Sequence, residues 1–190
     1  MAAPPGSIFL QNLGLFSSLT SIKEHSTEAP VNMLWQNICS TFFPTAAGFK
    51  IGSNLPLLQD DTQPDCSVIQ IVMLNPDPRD PHSSTGLAEK QILVVECKRP
   101  SKDRPTEWNS ANDQLEHYCE NNVNGSSRIF AVTAIGRKVR FWQYDSPNLT
   151  PLRYDVLDLN ETEGRAMAEE CLNHIRTHGW TWTESGSRLA

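Results

Sequence analysis

Three side chains in this chain have the types and spacing that phosphodiester hydrolysis uses. Asp65 stands in "PDCSVIQIVML", residues 64–74, at the mouth of a nearly continuous apolar run. Glu96 and Lys98 close a second apolar run, "KQILVVECKRP", residues 90–100. Asp is a poor strand former, and a buried charge without a partner is costly, so an acid in this place needs companions. Strand side chains alternate with a period of two, which sets Glu96 and Lys98 on one face. If the two runs pair, Asp65 lies near them. One carboxylate from each of two neighbouring strands suits Mg²⁺, a hard ion that takes oxygen ligands and keeps several waters. Such an ion polarises a phosphodiester and lowers the pKa of a bound water. A lysine beside that water orients it and stabilises charge on the phosphorus. The plainer reading is a turn acid before one strand and a surface ion pair at the end of the next, and "ExK" alone does not choose between the two.

The surrounding elements decide whether these groups can meet. Residues 1–28 are rich in Ser, Pro and Gly without a clear period, which predicts a flexible N-terminal arm. In residues 27–44, Val31, Leu34, Trp35, Ile38 and Phe42 recur at helical spacing, with Thr27 and Pro30 as start signals and Pro44 as the stop. Residues 48–58 read as weakly extended, 65–74 as a strand, and 75–89 as a Pro- and Asp-rich loop too long for a tight hairpin. The run Ile92–Val95 predicts a strand buried on both faces at a sheet centre. Residues 104–122 read as a helix with Pro105 in its first turn and Trp108, Ala111, Leu115 and Tyr118 along one face. Residues 128–136 and 138–145 read as a hairpin turning at Gly136, Arg137 and, by register, Lys138, and 152–159 as a further strand. A closing helix follows over 160–179, with Asn160 as cap, Glu163 completing a capping box and Gly179 as the stop. This order predicts an α/β fold, a central sheet flanked by helices, in a single domain over 29–182 with a C-terminal tail over 183–190.

Composition narrows the class. The 190 residues carry a formal net charge of -6, which discourages a nucleic-acid reading taken alone. The distribution is uneven, however: residues 98–140 hold eight Lys or Arg against five Asp or Glu. The basic residues therefore concentrate where the candidate chemistry begins. No stretch approaches the roughly 18 apolar residues of a membrane span, so no membrane partner is expected. Five dispersed cysteines without a CxxC pair argue against a disulfide framework or a zinc site and point to an intracellular compartment, cytoplasm or nucleus. Cys66 and Cys97 fall in strand patterns and read as small buried hydrophobes. His174 and His178 stand four apart but lack the glutamate of HExxH, and a helix C-terminus favours His in any case. Trp180 and Trp182 read either as base-stacking groups or as core packing.

Pro-Asp, then thirty-one residues from Asp65 to the glutamate of Glu-Cys-Lys, resembles the PD-(D/E)XK nuclease superfamily with its restriction-endonuclease-like fold. In the helix that follows, Gln114 and Tyr118 stand at i and i+4 in "QLEHY". That pair is similar to the QxxxY element of the RecB-like and exonuclease branches, and it also suits plain helix packing. The resemblance covers roughly residues 30–145. It implies a central mixed β-sheet, Asp65 and Glu96 as ligands of Mg²⁺ or Mn²⁺, and Lys98 as the catalytic lysine. Gln114 and Tyr118 would support the site or contact substrate phosphate. Some branches add an acid on the first helix; the nearest here, Glu24 and Glu28, precede the expected helix. The separation of PD from ExK is at the long end because of the Pro-rich loop. The function implied is a metal-dependent nuclease acting on nucleic acid, with DNA as the expected polymer. The alternative is a nuclease-fold interaction module that no longer cuts, an effector, toxin-like or regulatory protein working with a protein partner or as a homodimer. An unrelated α/β protein with a chance match is a third reading.

Overall fold

The computed structural model describes residues 6–53, 58–60, 62–73 and 86–187. Its elements in chain order are α1 (Ile8–Gln11), α2 (Leu13–Ser21), α3 (Ala29–Phe42), β1 (Phe49–Gly52), β2 (Cys66–Met73), β3 (Leu87–Lys98), α4 (Pro105–Glu120), β4 (Arg128–Ile135), β5 (Lys138–Asp145), β6 (Asn148–Pro151), β7 (Leu157–Asp158) and α5 (Thr162–Ser185). The strands form a seven-stranded mixed sheet in the order β1-β2-β3-β4-β5-β6, with β7 also paired to β5. All neighbours are antiparallel except β3 and β4, which are parallel and joined through α4. A parallel pair needs such a crossover, because a tight turn can only reverse the chain. The α/β expectation of a central sheet flanked by helices therefore holds.

β3 sits inside the sheet, and Ile92, Leu93, Val94 and Val95 are fully buried, as an apolar run without alternation requires. Two apolar clusters lie on opposite sides of it. One gathers α3, α5 and the odd-numbered β3 residues Leu93, Val95 and Cys97. The other joins Val94 to Leu115, Tyr118 and Cys119 of α4. Glu96 and Lys98 follow Val94 at the two-residue period, so they lie on the face that α4 covers. The β4–β5 hairpin turns at Gly136, whose φ of 61° is in the left-handed region, and Arg137. The Gly136 amide donates to the Lys98 carbonyl at 3.0 Å, and a Cβ at Gly136 would stand 3.0 Å from Pro100 Cα. That close approach pins the hairpin to the end of β3. All five cysteines are buried free thiols.

Several expectations fail. The flexible arm predicted over 1–28 is replaced, in its described part, by α1 and α2, whose Phe9, Leu15 and Leu19, with Ile22 beyond them, join the α3–α5 cluster. Ser7 and Asn12 cap the two helices with side-chain oxygens, so serine and asparagine there act as helix starts rather than as coil formers. The stop expected at Gly179 is wrong: α5 continues to Ser185, into the stretch read as a tail. Gly179 is needed for close packing, because a Cβ would meet Ile92 Cδ1 at 2.8 Å. The capping box is also absent, since Glu161 rather than Asn160 precedes the helix and no side chain caps it. The strand expected over 152–159 shrinks to Leu157–Asp158, and β6 precedes it at Asn148–Pro151. Most of the loop expected over 75–89 lies outside the described residues, although β3 already begins at Leu87. Among the described residues no helix is long and apolar enough to cross a membrane.

Candidate active site

Asp65 immediately precedes β2, and the register Cys66↔Val95, carried back one residue, sets it opposite Glu96. Opposed residues of an antiparallel pair share a face. The Asp65 carboxylate prolongs the ladder where the backbone leaves it: Oδ2 accepts from the Cys97 amide at 2.7 Å. Its Oδ1 accepts from Asn32 Nδ2, 3.0 Å away on α3. Glu96 is only 2% exposed and forms an ion pair with Lys98 Nζ. Lys98 also donates to Gln114 Oε1 at 3.1 Å, Gln114 Nε2 donates to the Tyr118 hydroxyl, and that hydroxyl donates to the Gln63 carbonyl at 3.3 Å. The structure thus brings all five residues singled out in the sequence into one connected group. Gln114 and Tyr118 reach it because four residues advance an α-helix by about one turn.

The electrostatics are those of crowded, desolvated carboxylates. Burial pushes Asp65 above the ordinary carboxylate range, against the opposing pull of the Cys97 amide, Lys98 and Asn32. Glu96 is pushed up to about 7, by burial first and then by the charges of Asp65 and Glu28, while Lys98 works the other way. Burial would lower Lys98, but the bond to Glu96 and the charges of Glu96, Glu28 and Asp65 outweigh it and hold the amine above its usual value. Tyr118 is raised to about 12 by burial and by Glu96.

Glu28 enters this group although it precedes the helix. It is the residue before α3, its side chain makes no capping bond, and it lines a cleft of about 510 Å³ with Lys98, Arg99, Lys102 and Gln114. Burial and then Asp65 raise its carboxyl, and Lys98 and Arg99 oppose them. Asn32, one turn on, was not singled out in the sequence. Its Oδ1 is buried beside the Asp65 carboxylate, without a hydrogen-bond partner among the described residues. The signal that would have found it is its i, i+4 relation to Glu28 at a helix start.

The donor set fits a hard divalent cation. Asp65, Glu96 and the Asn32 oxygen, unpartnered among the described residues, are oxygen donors of the kind Mg²⁺ takes, and burial disfavours the ionised carboxylates in a way that a bound cation would offset. Among the described residues no three His, Cys, Asp or Glu side chains form a closed ligand set. An open site of one or two carboxylates completed by waters and substrate phosphate is the usual Mg²⁺ arrangement.

The other sequence candidates fall away from this cleft. His174 and His178 stack with ring centroids 4.4 Å apart, and His178 Nδ1 faces the His174 carbonyl at 3.1 Å. Lys90 lies 5.1 Å from the Trp180 ring, while Trp182 packs on Phe130 and under Arg128. No protein-family model, curated protein or solved structure matches this chain.

Proposed function

We propose that this protein is a metal-dependent nuclease of the PD-(D/E)XK type, with a restriction-endonuclease-like core, that hydrolyses phosphodiester bonds in DNA. The observation that carries the reading is the convergence of Asp65, Glu96 and Lys98 at the end of β3, with Lys98 lining a cleft that also holds Glu28, Glu107 and two further basic residues. Asp65 and Glu96 would hold Mg²⁺ or Mn²⁺, with Asn32 Oδ1 as a further oxygen in reach of Asp65. Bound there, the cation supplies Lewis-acid polarisation of the phosphodiester and a more acidic water.

The chain's own residues set the rest. Lys98 has its amine held above the usual value, so it stays protonated at neutral pH and serves as a charge donor, not as a base. It orients the attacking water and stabilises the negative charge that grows on the phosphoryl oxygens as the water oxygen bonds to phosphorus and one ester oxygen leaves. Gln114 receives a bond from Lys98 and fixes where the ammonium points, and Tyr118 holds Gln114 in turn. Arg99 lines the cleft where a polyanion would enter, as does Lys102, which is paired with Glu107 at 2.7 Å on the same wall. Glu96 must be ionised to act as a ligand, so cation binding near neutral pH releases a proton.

A second reading has its own observation. The Lys98–Glu96 ion pair occupies the central carboxylate. A non-cutting interaction module would keep that pair shut. Cleavage of plasmid, linear and single-stranded DNA in Mg²⁺, Mn²⁺ and EDTA, beside Lys98→Ala, separates the two. The nuclease reading expects no cleavage in EDTA and a fall of about 10²–10³-fold for Lys98→Ala, with calorimetric Mg²⁺ binding retained in the variant. Cleavage that persists in chelator, or a variant as fast as the parent, ends it. Nucleic-acid binding without cleavage in any metal favours the interaction module.

A further inference from the structure

A second pocket flanks α4 on the side away from the carboxylates. Register sets Thr133 opposite Glu96 and Arg140 opposite Thr133, so Arg140 shares the sheet face of Glu96. It lies two strands away, about 10 Å by strand spacing. Its guanidinium carbon is 5.6 Å from the centre of the Trp108 ring and 5.1 Å from that of Trp142. Both rings are themselves anchored. Trp108 Nε1 donates to Asp103 at 2.9 Å, and Trp142 Nε1 to Thr133 at 3.0 Å. Arg140 Nε is buried with no hydrogen-bond partner among the described residues. The acceptor at the far end of the guanidinium is Asp155, whose side chain is 81% exposed. Around this group runs a pocket of about 350 Å³, lined by Asp103, Arg104, Trp108, Asn109, Arg140 and Val156. The Asp103 charge is already met by Lys138 at 2.6 Å and by the Trp108 indole.

We propose that this pocket binds a phosphate group, with Arg140 as its principal ligand and the Asp155 carboxylate holding the place that the phosphate takes. A planar guanidinium matches phosphate through paired N–H donors. The two indoles hold that fork in place before any ligand arrives, which lowers the ordering cost of binding. Arg104 adds positive charge and Asn109 an amide donor at the rim. Asp155, exposed and tied mainly through Arg140, can swing into water at little cost. The phosphate can come from a nucleic-acid backbone or from a free phosphate ion, since the recognising chemistry is the same. For a backbone source, 10 Å is roughly three nucleotides of axial rise at about 3.4 Å each, a distance that lets one strand reach both pocket and cleft.

The test uses the indole N–H resonances of Trp108 and Trp142 in the full chain, in EDTA so that nothing is cut. The titrants are inorganic phosphate and, separately, a single-stranded oligodeoxynucleotide without terminal phosphates. Both indoles should shift saturably. Asp155→Asn should tighten binding by up to about fivefold, and Arg140→Gln should weaken it at least about tenfold. Arg140→Lys should fall between, because charge is kept and the fork is lost. Shifts with the oligonucleotide identify a backbone phosphate, and shifts with inorganic phosphate alone identify a small-anion site. Silence with both titrants overturns the proposal, as does an unchanged affinity in Asp155→Asn, a surface change that leaves the Trp–Arg packing untouched. Repeating the titration in Lys98→Ala keeps the outcome independent of whether the carboxylate cleft cuts DNA.

Discussion

Two rows of side chains cross the same three strands one residue apart, and they have opposite characters. Val95, Val132 and Phe141 stand side by side across β3, β4 and β5, each at most 2% exposed. The next row is Glu96, Thr133 and Arg140. The backbone is shared; only the face differs. The apolar row packs under α3 and α5, where Phe141 meets the edge of Trp35 with centroids 6.1 Å apart. The polar row lies under α4, which answers it with polar groups of its own: Asn112 bonds Thr133, and Gln114 bonds Lys98. The α3–α5 face carries the larger apolar cluster, while the α4 face sets a smaller one, with Val94, Leu115 and Trp142, beside groups that cost stability unless each has a partner. Chemistry belongs on the second face, because its apolar cluster is the smaller and leaves room for polar groups at the end of β3.

The comparison breaks most visibly at Phe141. Truncation to Ala in the apolar row should cost about 3–5 kcal/mol, through lost burial and the cavity left against Trp35. Chemical denaturation measures it directly. A loss below about 1 kcal/mol, the size of an ordinary surface effect, would mean that the row does not anchor the sheet.

Much of this contrast was legible in the sequence, but only within single elements. The run Ile92–Val95 announced a doubly buried strand, period two placed Glu96 with Lys98, and i, i+4 spacing placed Gln114 with Tyr118. What failed was non-local. Nothing in β4 or β5 alone says that Thr133 and Arg140 align with Glu96, since register between strands separated by a helix is set in three dimensions. Glu28 looked too early to matter, because it lies before α3; its carboxylate reaches the cleft by leaving the helix uncapped. Gly179 was misread because a glycine that stops a helix and one that lets a helix approach Ile92 look the same in one dimension.

Glu96 gives the next effect, and its sign depends on pH. Its carboxyl is raised from the ordinary 4.5 to about 7, so the folded protein binds a proton that the unfolded chain releases. The stability tied to this group is fully present below pH 4.5 and is lost as pH rises through about 7. Glu96→Gln, neutral throughout, should therefore be the more stable protein at pH 8. The gain is up to about 3 kcal/mol, since each tenfold change in proton affinity is worth roughly 1.4 kcal/mol. The difference should shrink toward zero near pH 5. Urea melts of both proteins at the two pH values decide the matter: a variant no more stable than the parent at pH 8 would show that the Lys98 pair fully offsets the cost of ionising Glu96 in the fold.

The smallest effect concerns the middle of the polar row. Thr133 Oγ1 donates to Asn112 Oδ1 at 2.9 Å and accepts from Trp142 Nε1 at 3.0 Å, so one hydroxyl links α4 to β5. Thr133→Val keeps the branched shape and removes both bonds, leaving a buried indole N–H and an amide oxygen unpaired. The expected cost is about 1–2 kcal/mol, the penalty of stranded polar groups rather than of lost volume. The same loss releases the Trp142 ring on which Arg140 rests, so the Trp142 indole resonance should broaden or move while that of Trp108, tied to Asp103, holds its position. The reciprocal change, Val132→Thr, places a hydroxyl in the apolar row, where no partner waits, and should destabilise by a similar amount without disturbing either indole. If the two substitutions have the same spectroscopic signature, the faces are not independent and the contrast between the rows is only one of composition.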